Sequence, residues 1–329
     1  MKVAVVGATG LVGTEMLKTL EEFDFPVTEL IPVATARSVG KKVTFKGKQY
    51  EVVDMETGIK RKPDLALFSA GGSTSKEFAP KFTEVGTIVV DNSSAWRMEP
   101  HVPLVVPEVN MDAIGDSKLI ANPNCSTIQM VVALKPIHDK YKIKRLVIST
   151  YQSVTGTGKA AVDQLFAERE NKPVNRVYST NIDLNCIPHC DIFLENDYTK
   201  EEMKLVHETR KILNDNSIQI TATAVRVPVI GGHSEAVNIE TEKPFEIADI
   251  KELMANAKGV ILKDDVANLQ YPTPRDSHGK HEVFVGRIRR DDSIKNGMNM
   301  WIVADNLRKG AATNAVQIAQ EIFQAKEAV

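Results

Sequence analysis

Cys125 has the plainest capacity for chemistry. It lies in Asn122-Pro123-Asn124-Cys125-Ser126-Thr127, ahead of the apolar run 128–134. Asn and Ser are N-capping types and Pro favours an extended approach, so Cys125 is expected at or beside a helix N-terminus. The positive end of a helix stabilises a thiolate and lowers the thiol pKa. Such a thiolate suits attack on an activated acyl group. A lone cysteine in this setting is ordinarily a small packed residue. Polar flanks, and the glycine-rich cofactor turn described below, weigh against that reading here.

A second stretch, residues 221–235, ends a strand pattern in Arg226-Val227-Pro228-Val229-Ile230-Gly231-Gly232-His233-Ser234-Glu235. Arg226 offers a fork that matches a carboxylate. His233 titrates near neutrality and suits moving protons to and from a sulfur site.

Gly7-Ala8-Thr9-Gly10-Leu11-Val12-Gly13 follows an N-terminal apolar run and opens an amphipathic helix pattern. Glycines there permit a tight turn and close approach of backbone to a pyrophosphate, which the helix N-terminus attracts. The spacing is GxxGxxG, and its place between strand and helix makes it a dinucleotide turn. At the end of the second strand an acid would select NAD and an Arg NADP. The chain has Thr35-Ala36-Arg37-Ser38 and no acid until Glu51, which favours NADP through Arg37 and Ser38.

Arg97, after the polar loop 91–96, is a further anion-binding candidate. Glu201 and Lys204 stand three apart on one helical face, the spacing of an ordinary surface ion pair. Cys186 and Cys190 flank Ile187-Pro188-His189, poor spacing for zinc, so no metal site is expected.

The elements that must position these residues alternate in the first third of the chain. Apolar runs at 2–6, 30–34, 65–68, 87–90, 104–106 and 119–121 are interleaved with helical spacings at 11–20 and 74–85. A hairpin is expected where 43–45 and 50–53 flank Lys46-Gly47-Lys48. This pattern predicts a mostly parallel sheet with helices on its faces. After residue 125 come a helix at 126–137, a long strand at 144–152, and strands at 218–227, 235–240, 283–289 and 298–304. Their alternating character suits an antiparallel sheet with one face covered. The tail 307–328 has helical spacing and is expected to pack back on the first domain.

Length and composition set the frame. The 329 residues suggest about two domains. The chain is 43% hydrophobic and 26% charged, with 41 basic and 43 acidic residues. That balance excludes a disordered or coiled-coil chain and gives no push toward nucleic acid or an anionic membrane. No apolar run reaches the ~20 residues of a membrane helix, and no secretory signal is expected. Three cysteines in a chain of this size argue against a disulfide framework and for a reducing cytoplasm.

Taken together, these motifs resemble the aspartate-β-semialdehyde dehydrogenase family. The GATGLVG turn, NPNCST, TYQSVTGTGK, VRVPVIGGHSE and NLRKGAA occur in order over essentially the whole chain. The resemblance implies an α/β protein: a Rossmann-type NADP-binding domain (1–125 with 307–329) and an α+β catalytic and dimerisation domain (126–306) like that of glyceraldehyde-3-phosphate dehydrogenase. It implies NADPH-dependent reductive dephosphorylation of L-aspartyl 4-phosphate to L-aspartate 4-semialdehyde. That step leads toward lysine and diaminopimelate, threonine, methionine and isoleucine.

The resemblance also carries roles onto positions. Cys125 is the acyl-thioester nucleophile, His233 the acid/base, and Gln152 positions the acyl group. Arg226 holds the substrate carboxylate, with Glu201 toward the amine. Arg97 and Lys204 bind phosphate, with Asn124 assisting. Gly7, Thr9, Gly10, Leu11, Val12, Gly13, Arg37, Ser38, Thr155, Gly156 and Asn306 contact NADP. The family implies a homodimer, with dimer against tetramer left open. Two rivals stand beside this reading. One is N-acetyl-γ-glutamyl-phosphate reductase, which uses the same thioester logic on a longer substrate with a blocked amine. The other is an NADP-binding sensor without turnover.

Overall fold

The apolar run at the N-terminus is strand β1 (Lys2–Val6), buried on both faces apart from its first residue. In the computed structural model, which describes residues 1–327, β1 leads into helix α1 (Leu11–Glu22) and strand β2 (Glu29–Val33). The hairpin β3 (Lys42–Phe45) and β4 (Lys48–Glu51) follows. Lys46 and Gly47 at its tip both have positive φ, the geometry of a two-residue turn matched to strand twist. Next come α2 (Met55–Lys60), β5 (Leu65–Phe68), α3 (Gly72–Glu84), β6 (Ile88–Asp91), α4 (Pro107–Asn110) and β7 (Leu119–Ala121). The main sheet has the order β2-β1-β5-β6-β7, and every pairing is parallel.

Continuous apolar strands such as Leu65–Phe68 demand cover on both faces. One face is covered by α1 and the C-terminal helix (Thr313–Glu327). Val3, Val5, Leu65, Leu67 and Val90 meet Met16, Leu20, Ala315, Val316 and Ala319 in one core. The other face meets Phe82 and Ala79 of α3. These elements belong to one compact unit, Met1–Asn124 with the chain from Ala311 onward.

The run 104–106 is a correction. It makes only an isolated bridge, Leu104 to Ala121. The Asn110 side chain takes the Val106 N–H and donates to the Leu104 carbonyl, which diverts the run's backbone groups from a ladder.

The second unit, Cys125–Gly310, opens with α5 (Cys125–Tyr141). It continues through β8 (Ile143–Gln152), α6 (Lys159–Arg169), α7 (Lys200–Leu213), β9 (Gln219–Arg226), β10 (His233–Thr241), α8 (Ile247–Ala255), β11 (Val260–Leu262), α9 (Pro274–Ser277), β12 (Val283–Asp291) and β13 (Gly297–Ala304). The six-stranded sheet has the order β11-β12-β13-β10-β8-β9. The expectation of an antiparallel sheet holds at its centre and fails at its edges. β8–β9 and β11–β12 are parallel, while β8–β10, β10–β13 and β12–β13 are antiparallel. β8 reaches β9 through two helices, and such a crossover lets the strand return in the same direction.

The tail also differs from its expectation. A π-helical turn, Arg308–Ala312, precedes the helix, which begins at Thr313. Residue 328, where the expected helix ended, lies outside the described residues.

Candidate active site

In the second unit, the helix start expected near Cys125 falls on Cys125 itself, the first residue of α5. Its side chain is partly exposed. A Cβ on Gly310 would lie 2.8 Å from the Cys125 Cβ, so only glycine lets the turn 308–312 pass so close.

β8 and β10 present alternate residues to the covered side of the sheet. On β8 these include Leu146, Ile148, Thr150 and Gln152, and on β10 His233, Glu235, Val237 and Ile239. Period-two alternation therefore brings Gln152 and His233 to the same face. Gln152 Nε2 donates to Ser126 Oγ at 3.2 Å and to Glu201 Oε1 at 3.2 Å. Glu201 Oε2 accepts from Lys204 Nζ at 2.9 Å, and Lys204 reaches Asp191 Oδ2 at 2.8 Å. The Glu201–Lys204 spacing thus yields a pair with buried Glu201 and half-buried Lys204, extended to exposed Asp191, unlike a solvated surface pair. Burial opposes the Lys204 charge, but Glu201 and Asp191 outweigh it and raise its pKa.

Helix α7 is set by Thr199 and Glu202, which form a reciprocal capping box. Glu202 Oε1 also accepts the backbone N–H of Ala224 on β9 at 2.9 Å, which ties the helix bearing Glu201 to the strand bearing Arg226.

Arg226 and His233 share one anchor, Ser153. Arg226 Nη1 donates to the Ser153 carbonyl at 2.6 Å, and the Ser153 N–H donates to His233 Nδ1 at 3.0 Å. His233 is fully buried, and burial together with the Arg226 charge pushes its pKa down to about 3. A Cβ on Gly156 would lie 3.0 Å from both Arg226 Nη1 and His233 Nε2. The guanidinium and the imidazole therefore converge on the bare backbone of Gly156. Arg226 Nε and His233 Nε2 have no hydrogen-bond partner among the described residues. Both atoms keep hydrogen-bonding capacity that a bound group could use.

Thr155 Oγ1 donates to Asn306 Oδ1 at 2.9 Å, and the Gly232 N–H donates to the same oxygen at 3.2 Å. Asn306 thus braces the Thr155 turn against the glycine pair before His233. Both glycines have positive φ, and a Cβ at Gly231 would meet His278 Nδ1 at 2.1 Å.

Ser153, Ser126, Asp191 and Cys190 were not singled out from the sequence as site residues. Cys190 is buried beside Arg226, and burial pushes its thiol up to about 11, so it is a neutral neighbour of the clamp. Adjacency to Arg226 arises from folding alone and leaves no spacing signal. Cys186 is exposed. Among the described residues no cluster of His, Cys, Asp and Glu could hold a metal ion.

The first unit carries the glycine turn. Gly7 has φ +82°, and a Cβ there would meet the Ser69 carbonyl oxygen at 2.3 Å. A Cβ on Gly13 would lie 2.1 Å from the Gly7 oxygen. These two positions need glycine for close strand–helix packing. Gly10 caps α1 without a side-chain bond, so the N-terminal N–H groups are not taken by a capping side chain. Thr9 Oγ1 donates to Ser38 Oγ at 3.3 Å, which brings the glycine turn to the end of β2, where Arg37 is exposed.

Arg97 is buried in this unit. It donates from Nε to the Asn122 carbonyl at 3.0 Å and from Nη2 to the Asn92 carbonyl at 2.8 Å. It therefore fixes the segment that runs through Asn124, also buried, into Cys125.

Two family models match the chain: "Semialdehyde dehydrogenase, NAD binding domain" over residues 2–117, and "Semialdehyde dehydrogenase, dimerisation domain" over residues 134–309. The aspartate-semialdehyde dehydrogenase of Aquifex aeolicus (strain VF5) is 55% identical over 97% of each chain. That of Legionella pneumophila is 53% identical over 98% of this chain and 96% of its own. Among solved structures, aspartate semialdehyde dehydrogenase II of Vibrio cholerae complexed with ASA superposes with a TM-score of 0.94. It is 47% identical over 98% of each chain. The enzyme of Candida albicans with NADP gives a TM-score of 0.77 at 26% identity, over 100% of this chain and 99% of its own.

Proposed function

The chain belongs to the aspartate-semialdehyde dehydrogenase family, and from that premise we propose that it converts L-aspartyl 4-phosphate, NADPH and a proton to L-aspartate 4-semialdehyde, NADP⁺ and phosphate through a thioester on Cys125. As a member of that family the chain is an oxidoreductase of amino-acid biosynthesis. The observation that carries the residue assignments is the convergence of Arg226 and His233 on Gly156, in the unit whose longest helix begins at Cys125.

Cys125 is the nucleophile. Its sulfur bonds to the acyl carbon, and phosphate departs with the electron pair of the cleaved C–O bond. Arg97, Lys204 and Asn124 are assigned to the phosphate, whose charge cations stabilise as it leaves. Arg226 receives the substrate carboxylate, and Glu201 faces the amine. Gln152, held between Ser126 and Glu201, orients the acyl oxygen. His233 faces the oxygen of the tetrahedral adduct through Nε2. Such positioning of reactants is worth roughly 7–11 kcal/mol of barrier in favourable systems.

The residues present fit a nicotinamide dinucleotide. Gly7 and Gly13 let the turn and α1 pack tightly against the strand ends, and no side chain caps the α1 N-terminus, whose N–H groups suit a pyrophosphate. We assign Gly7, Thr9, Gly10, Leu11, Val12 and Gly13 to the pyrophosphate turn, and Arg37 and Ser38 to a ribose 2′-phosphate, which makes the cofactor NADP. Thr155, Gly156 and Asn306 are assigned to its nicotinamide end. When bound, NADPH supplies the hydride that reduces the thioester.

The first unit is assigned to cofactor binding and the second to catalysis and dimerisation. The homodimer forms on the open face of the second sheet, where half-exposed Val147, Ala236 and Trp301 adjoin exposed Tyr151 and Tyr271. The Tyr151 and Trp301 ring centroids lie 5.4 Å apart. None of the three cysteines forms a disulfide, which suits the cytoplasm, and no described helix is long and apolar enough to cross a membrane.

The test is NADP⁺ reduction by the purified protein with L-aspartate semialdehyde and phosphate, beside N-acetylglutamate semialdehyde. Phosphate-dependent signal with the first alone is expected. Signal with the second alone would move the substrate to the longer acyl phosphate. Silence with both, in protein that binds NADPH, would favour the sensor.

A further inference from the structure

Glu235 stands where the strand pattern calls for an apolar residue. On β10 the inward positions are His233, Glu235, Val237 and Ile239, and Glu235 is 0% exposed. Its neighbours in register are Thr150 on β8 and Ile302 on β13. Helix α5 lies over this face and presents Ser126 and Gln129 to the carboxyl. Neither neighbour is a cation. A carboxylate buried with no countercharge would cost several kcal/mol, so the group resides there as the neutral acid.

Both Glu235 oxygens, Gln129 Oε1 and Thr150 Oγ1 lack a well-formed hydrogen bond among the described residues. A neutral carboxyl offers both a donor and an acceptor to the Gln129 amide and the Ser126 hydroxyl, whereas a carboxylate could only accept. Each neighbour in turn touches the site. Ser126 Oγ accepts from Gln152 Nε2, and Gln129 Nε2 donates to the His233 carbonyl at 3.3 Å.

We propose that Glu235 is a positioning residue: a buried carboxylic acid that fastens the first turn of α5, through Ser126 and Gln129, to the strands carrying Gln152 and His233. It touches no reacting atom. Its work is to keep the helix start that bears Cys125 in register with the sheet residues that meet the acyl group. The inference deepens the thioester reading above and rests on it for its kinetic arm.

The test compares Glu235→Gln with Glu235→Leu. A carboxamide keeps a donor and an acceptor in the same volume, whereas Leu keeps only the volume. Glu235→Gln is expected to hold kcat within about threefold, whereas Glu235→Leu loses on the order of 100-fold with little change in KM or NADPH affinity. Alkylation of Cys125 by iodoacetamide, read from its peptide mass, is expected to match wild type in the Gln variant and to slow in the Leu variant. That arm needs no substrate, so it decides the role of Glu235 even if wild-type protein turns over no semialdehyde. Wild-type kcat and alkylation in Glu235→Leu would overturn the proposal. So would a Gln variant as impaired as the Leu variant. Should Glu235→Leu not fold, Ser126→Ala replaces it: a fall in kcat of about tenfold at unchanged KM is expected, and wild-type kcat overturns the proposal.

Discussion

The backbone N–H of Ser153 donates to Nδ1 of His233 at 3.0 Å, and that single bond decides where the imidazole keeps its hydrogen. A backbone N–H can only donate, so Nδ1 accepts and the neutral ring carries its hydrogen on Nε2. Nε2 is the atom that faces Gly156. His233 is thereby set to offer a hydrogen bond to an oxyanion while neutral, the task of an oxyanion-hole donor. A glutamine can reproduce that donor without ionising. His233→Gln is expected to retain at least about tenfold more kcat than His233→Ala. Equal losses in steady-state kinetics would show that proton transfer, and not donation alone, is required of this position.

Stability should respond to pH with opposite signs at two buried groups. His233 has its folded pKa lowered to about 3, so its contribution is complete above its unfolded value of about 6.5 and is lost as pH falls. Glu235 has its folded pKa raised by burial, so its contribution is complete below the unfolded value of about 4.5 and is lost as pH rises. Thermal melts should show Glu235→Gln more stable than wild type at alkaline pH, with the gap closed in mild acid. His233→Gln should lose less stability than wild type on acidification.

Gly156→Ala places a Cβ 3.0 Å from both Arg226 Nη1 and His233 Nε2. Both must give by a few tenths of an ångström, which disturbs the shared geometry of the carboxylate clamp and the imidazole. A fall in kcat/KM for aspartate semialdehyde of about tenfold or more is expected, with an unchanged melting temperature. Unaltered kinetics would show that the two side chains act apart.

Arg37→Ala should weaken NADPH binding more than NADH binding, as fluorescence titration would register. Loss of one charged contact to a 2′-phosphate is worth about 1.5–3 kcal/mol. Equal losses for the two cofactors would remove Arg37 from the 2′-phosphate.

Cys125→Ala should abolish phosphate-dependent turnover and leave NADPH affinity intact. Mass spectrometry of wild-type protein mixed with aspartyl phosphate should find the acyl group on the peptide that contains Cys125. Residual turnover near wild type would dismiss the thioester route.

Much of this arrangement was legible in the sequence because it is local. The strand–turn–helix at Gly7–Gly13, set by glycine sterics, and the helix start at Cys125 are decided within a few residues. The hairpin at Lys46-Gly47 obeys the same short-range rule. Sequence order also carried the alternation that predicts a parallel sheet in the first unit. The run 104–106 misled because its outcome rests on a side chain four residues further along, Asn110, that claims its backbone groups. The edge pairings of the second sheet were out of reach for a different reason. Alternation tells which face is buried but not which neighbour a strand takes.

The sequence by itself determined which residue types could act and which local elements would present them: a thiol at a helix start, a glycine turn before a helix, an Arg and a His on either side of a glycine pair. Only the tertiary structure decided what those residues do to one another. Lys204 is matched by two carboxylates, Ser153 fixes both Arg226 and His233, and Glu235 is a buried acid beneath the first turn of α5. Each of these relations joins positions far apart in the chain. Propensity acts over a few residues, whereas burial and hydrogen bonding are set by whichever strands and helices close over a side chain.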